Sequence, residues 1–134
     1  MSSPRYFFAV FGNPKPPSKD TVESGIYHPH PKFAPFKPRP GDFLFLYCTN
    51  GYAKYAKSSP GFGIVRRLDD LIIEYDYKAF QKSIPIRAIR NAFKSDDKAK
   101  LGNIRFSSHW LFELNRESFL TAIELGVRHA SKHF

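Results

Sequence analysis

The chain has 134 residues, with 21 Lys and Arg against 12 Asp and Glu, a formal charge of +9 and a pI near 9.8. That length predicts one domain over residues 1–134 with room for a real core, and the charge points to a polyanionic partner, most simply nucleic acid. The single cysteine, Cys48, excludes an intramolecular disulfide and a cysteine-based zinc site; no transmembrane-length run or secretory segment is present, so a soluble, cytoplasmic protein with no membrane partner is expected.

Tyr6 to Phe11 (YFFAVF) is the first predicted buried strand, after a loose start over residues 1–4. Gly12-Asn13-Pro14 stops it. Lys15-Pro16-Pro17 cannot extend a sheet, because proline lacks the backbone donor. Ser18 is placed to cap a short helical turn through Glu23, with Asp20 near its positive end and Gly25 as its stop. Ile26 to Arg39 is proline-rich and extended. Two readings stand for it: a functional surface loop wrapping one face, or a rigid strap that packs Phe33 and Phe36 into the core edge.

Pro40-Gly41-Asp42 is a turn, and Phe43 to Cys48 is an unbroken apolar run that reads as a strand buried on both faces. Thr49 to Pro60 is a small, polar, basic loop with Tyr52 and Tyr55 at its centre. The chain returns as a strand over Phe62 to Val65, ending in Arg66 and Arg67, with Gly63 marking a bulge or a close backbone approach. This hairpin is the expected centre of the fold and the floor of a binding site. Asp69-Asp70 make the next turn and Leu71 to Tyr77 a further strand. Phe80 to Ser83 is a connector, and Ile84 to Ile89 reads as an edge strand, since Pro85 excludes a central place. Asn91 to Gly102 is polar and helical in part, and Phe106 to Leu114 holds a last strand around Trp110 to Phe112. The clearest helix is C-terminal. Asn115 is its N-cap, and Leu120, Ile123 and Val127 form its apolar stripe, flanked by Phe119 and Ala122. The predicted class is α+β: a small mixed β-barrel or curved sheet with peripheral helices and a C-terminal helix.

Aromatics make up 16% of the chain, and basic charge interleaved with aromatics suits phosphate contact together with base stacking. Lys54 and Lys57 are the candidate phosphate contacts of the central loop, and Tyr52 and Tyr55 its candidate stacking residues. Arg66, Arg67, Arg87, Arg90 and Arg105 add basic potential from other segments, and spacing does not say whether they share a face. His28 and His30 lack an apparent third ligand, so no metal or other cofactor is expected. No G-x-S-x-G, H-E-x-x-H or Walker loop occurs. Asp69-Asp70 and Asp96-Asp97 read as solvated turn formers. Ser107-Ser108-His109 lie side by side and point apart on a strand. Cys48 reads as a buried thiol with no catalytic part.

The segments YFFAVFGNP, RPGDFLFLYCTNGYAKYAKSSPGFGIV and Arg105 to Phe119 resemble the EVE and YTH branch of the PUA-like superfamily. The resemblance implies a PUA-like barrel that binds DNA or RNA without catalysis and reads a modified base, flipped out into an aromatic cage. Tyr27 stands where those families often place a cage tryptophan; Phe33, Phe36, Tyr75, Tyr77 and Trp110 are the other candidate walls. It also implies a domain free-standing or drawn from a larger restriction or RNA-processing assembly. Two other functions stay open: a small PUA-like hydrolase acting on a nucleoside or amide, and a protein-interaction module built on the proline-rich strap.

Overall fold

A computed structural model of the chain describes residues 3–12, 21–29, 37–49, 52–70, 72–101 and 110–131. Among them are six strands: β1 (Tyr6–Phe11), β2 (Ile26–Tyr27), β3 (Phe43–Cys48), β4 (Ser58–Asp69), β5 (Ile72–Pro85) and β6 (Leu111–Leu114). They form one sheet in the order β2-β5-β4-β3-β1-β6. β1 and β3 run parallel; every other pairing is antiparallel. Three helices accompany the sheet, α1 (Ile86–Ala92), α2 (Ser95–Leu101) and α3 (Arg116–Ser131). The architecture is α+β, a six-stranded sheet curled into a half-barrel with helices on one side.

β1 and β3 are apolar on both faces because the sheet is covered twice. Phe8, Val10, Phe45 and Tyr47 pack with Phe93, Phe119 and Ala122 on the helical side. Phe7, Ala9, Phe11, Leu44, Leu46 and Cys48 pack with Tyr27, Tyr52, Ile73 and Tyr75 inside the curl. The alternation of the strand assigns each side chain to its face.

The predicted hairpin is present and longer than its apolar part. β4 carries two register shifts against β5, between Ser59 and Gly61 and between Val65 and Arg67. Such irregularities bend and twist a long two-stranded ribbon. The segment Phe80–Ser83, expected as a connector, belongs to β5. The edge strand expected over Ile84–Ile89 ends at Pro85, which becomes the N-cap of α1. A missing N–H costs nothing at a helix start. Ile86, Ile89 and Phe93 then fall at helical spacing, and Ile89 and Phe93 are buried. Ile84, Ile86 and Ala88 also alternate with Pro85 and Arg87, which is why the run reads as a strand in isolation.

α3 stands where the sequence places it, rotated by one residue. Ser118, Phe119 and Ala122 are buried, whereas Leu120 is 43% exposed. A Cβ at Gly126 would collide with the Phe80 ring, so this helix can approach β5 closely. Asp97, expected as a solvated turn former, is fully buried. Its Oδ2 accepts from Ser118 Oγ at 2.6 Å and from the Asn115 backbone N–H at 3.1 Å. The Asn115 side chain turns to Asp96 (2.8 Å) and Asp97 (3.1 Å). The carboxylate thus locks α2 against the start of α3.

The Pro-Gly-Asp turn is structural in the same sense. Gly41 has φ 93, a conformation glycine adopts without penalty. Asp42 accepts backbone N–H groups of Arg5 (2.9 Å) and Arg39 (2.8 Å) and lies 3.4 Å from the Arg5 guanidinium. It therefore fastens the chain before β1 to the start of β3.

Candidate nucleic-acid interface

The inside of the curl is furnished with tyrosines whose hydroxyls are nearly all committed to the backbone. Tyr52 Oη accepts the Val22 N–H at 3.1 Å, and Tyr75 Oη donates to the Val22 carbonyl at 2.6 Å. The two hold both polar groups of one buried peptide residue, in the 3-10 turn Val22–Ser24. Thr21 caps that turn and Gly25 ends it at φ 73. The stop is the one the sequence predicts; the predicted Ser18 cap lies outside the described residues.

Tyr27 is fully buried. Its hydroxyl lies 2.9 Å from the Val10 carbonyl oxygen and 2.8 Å from that of Trp110. β2 is one edge of the sheet, whereas Val10 and Trp110 belong to the opposite end of the strand order. Tyr27 therefore pins the two ends of the curl together. This corrects the expectation that Tyr27 and Trp110 flank one cavity. The Tyr27 ring packs inside the curl, against Phe11 at 4.8 Å, while Trp110 packs with the helical-side core. Tyr75 is likewise a core residue, 2% exposed. Phe33, Phe36, Arg105 and His30 lie outside the described residues.

Gly61 and Gly63 explain where the tyrosines of β5 lie. A Cβ on Gly63 would sit 2.5 Å from the Tyr75 ring, and one on Gly61 would sit 2.9 Å from Tyr77 Cε1. The Gly-x-Gly step is a bare strip on β4 against which two rings pack, so the close approach at Gly63 is made by a side-chain ring. Tyr77 is half-buried, and its hydroxyl donates to the Pro60 carbonyl at 3.2 Å.

Tyr55 is the other half-buried tyrosine, in the 3-10 turn Ala53–Tyr55. It stacks on Tyr52, with centroids 6.0 Å apart. Its hydroxyl donates to Glu23 Oε1 at 2.6 Å, and Lys54 Nζ lies 3.1 Å from the same oxygen. Partial burial pulls the Glu23 carboxyl up, but the Tyr55 hydrogen bond, the backbone and Lys54 outweigh it and hold it below its ordinary value. Burial and then the Glu23 contact push Tyr55 up; burial does the same to Tyr77. Burial also pushes the Cys48 thiol up, which disfavours the thiolate.

The predicted cations fall into two groups. Arg66 pairs with Asp76 at 3.3 Å, and Arg67 with Asp69 at 3.2 Å and Glu74 at 3.6 Å. The extra residue between Val65 and Arg67 turns both arginines to the same face. Lys54 is paired with Glu23. Lys57, Arg87 and Arg90 are exposed and have no carboxylate partner among the described residues. Lys82, inside the segment expected as a connector, is likewise exposed with no carboxylate partner among the described residues. No group of three potential metal ligands occurs among the described residues.

The curled sheet has counterparts among solved structures. The ASCH protein of Zymomonas mobilis matches with a TM-score of 0.52 and 12% identity, over 90% of this chain and 95% of that one. A serine-to-alanine variant of the same protein matches with 0.53 and 12%, over 90% and 96%. The fold is of the ASCH type. Likeness at this level shows the fold alone and does not single out the EVE and YTH branch. No family model matches the chain and no curated protein matches its sequence.

Proposed function

We propose that this PUA-like domain of the ASCH type binds nucleic acid, holding phosphates with its unpaired cations and a base against Tyr55 and Tyr77. The observation that carries the reading is the division of the cations. Arg66, Arg67 and Lys54 have their charge answered locally, while Lys57, Arg87 and Arg90 present theirs to solvent. Unanswered basic charge binds phosphates and releases their counterions. The two half-buried tyrosines stand beside it: Tyr55 precedes Lys57 by two residues, and Tyr77 reaches Pro60 at the start of β4. A base flipped from its stack, modified or not, would find these rings rather than Tyr27, whose faces are closed inside the core.

The hydrolase reading draws less support. A catalytic lysine paired with a carboxylate works best desolvated, and here the Lys54 and Glu23 side chains are 65% and 40% exposed. The deciding experiment is binding to a panel of short RNAs and DNAs, single and double stranded, with and without modified bases. Tyr55→Ala and Tyr77→Ala should each weaken binding of the preferred strand, since stacking is worth about 1–3 kcal/mol per base. Absence of binding to every member at low salt would remove the reading.

A further inference from the structure

We infer that the nucleic-acid backbone runs along one corner of the molecule, where β4 begins, β5 ends and α1 starts, on phosphate contacts from Lys57, Lys82, Arg87 and Arg90. The inference rests on the nucleic-acid reading and assigns it a surface. The corner is assembled by backbone contacts rather than by side chains. Ser58 pairs with Pro85 and Ser59 with Ile84 across the ribbon. The Ile86 N–H at the head of α1 donates to the Lys57 carbonyl at 2.9 Å. Lys57 therefore sits against the first turn of α1, which carries Arg87. Arg90 follows one turn later on the same side of that helix. Lys82 precedes Ile84 by two residues on β5. Three separate segments thus bring four exposed cations together.

Two further features set this corner apart. First, among the described residues no carboxylate lies within ion-pairing distance of these four cations. Asp69, Glu74 and Asp76 answer Arg66 and Arg67 farther along the ribbon, Glu23 answers Lys54, and Glu117 answers Lys94. Helix α1 has no acidic residue in its first turn. Second, Lys57 has φ 58, a left-handed conformation that glycine would adopt at less cost. A cation stands where the turn alone asks for a glycine. Its backbone is fixed there by Ile86, so its side chain leaves the turn in a set direction. The corner also adjoins the ring pair, because the Ser58 hydroxyl donates to the Tyr55 carbonyl at 2.7 Å. A strand whose phosphates follow the cations has its bases on the side of Tyr55 and Tyr77.

The test uses the full chain and a short fluorescein-labelled single-stranded RNA of mixed sequence, titrated over a series of salt concentrations. Arg87→Gln with Arg90→Gln should lower affinity about tenfold at low salt. It should also reduce the slope of log affinity against log salt by roughly 0.7 for each cation removed. Arg66→Gln with Arg67→Gln, of equal charge change, should move the slope much less, since local carboxylates already answer those arginines. Lys57→Gly separates binding from folding: the melting temperature should hold or rise, because the strained conformation suits glycine, while affinity and slope fall. Equal losses from both arginine pairs, or a loss from Arg66 and Arg67 alone, would overturn the corner and leave nucleic-acid binding standing. No binding by the natural chain would instead end the broader reading on which the corner depends.

Discussion

Single hydroxyl groups decide much of this fold, and Tyr27 shows how. The family resemblance gives it a role in a cage, whereas its burial and its two carbonyl contacts make it a closure pin. Removing the hydroxyl should strand part of the hydrogen-bonding capacity of Val10 and Trp110 in a dry interior. The cost expected for Tyr27→Phe is about 1–2 kcal/mol, a lost hydrogen bond plus partial desolvation of its acceptors. A urea denaturation should show the midpoint falling with an unchanged slope, and nucleic-acid affinity should stay as it was. A fall in affinity at unchanged stability would return Tyr27 to the binding site. The resemblance misleads here because a buried tyrosine and a cage tyrosine occupy the same place in the chain. What tells them apart is the fate of the hydroxyl, which depends on residues distant in sequence.

At the scale of elements, the sequence discloses the sheet strands by apolar runs and the turns by glycine and proline. β1, β3, the Gly25 stop, the Asp69-Asp70 turn and α3 are all legible that way. α1 is not, because Ile84, Ile86 and Ala88 alternate as in a strand while Ile86, Ile89 and Phe93 recur at helical spacing, and only the position of Pro85 as a cap decides between them. Nor is the linkage between the two 3-10 turns legible. Glu23 on one binds Lys54 and Tyr55 on the other, across 31 and 32 residues. That linkage predicts a pH dependence. The folded Glu23 carboxyl is held below its ordinary value. Its contribution is therefore fully present above the unfolded-state value and is lost as pH falls through the folded one. The groups are well exposed, so the contribution is small. Comparing Glu23→Gln with the natural chain, the gap between their urea midpoints should be widest near neutral pH and should narrow in acid. A gap that does not change with pH would mean that the charge of the Glu23 carboxylate adds nothing to stability.

Over the whole molecule, the charge of +9 that directs attention to a polyanion also acts on the fold itself. Composition discloses the excess, but not its distribution, because pairing joins residues such as Arg66 with Asp76 and Lys54 with Glu23 from separate segments. The distribution sets up two opposed responses to salt. Contacting pairs at 3.1 to 3.6 Å are short compared with a Debye length of about 10 Å at 0.1 M, and each is worth about 0–1 kcal/mol at an exposed site. Repulsion among the unanswered cations acts over longer distances and is screened more completely. Raising salt from low concentration should therefore raise the melting temperature, as self-repulsion is relieved. Over the same range, affinity for a short RNA should fall, because counterion release drives less. Added RNA at constant low salt should raise the melting temperature through binding to the native state alone. Thermal scans and titrations on one salt series check all three responses together. A melting temperature that falls as salt rises would mean that the short ion pairs outweigh the excess charge. The stability of the natural chain would then rest on Arg66, Arg67 and Lys54 rather than being opposed by the cations at the α1 corner.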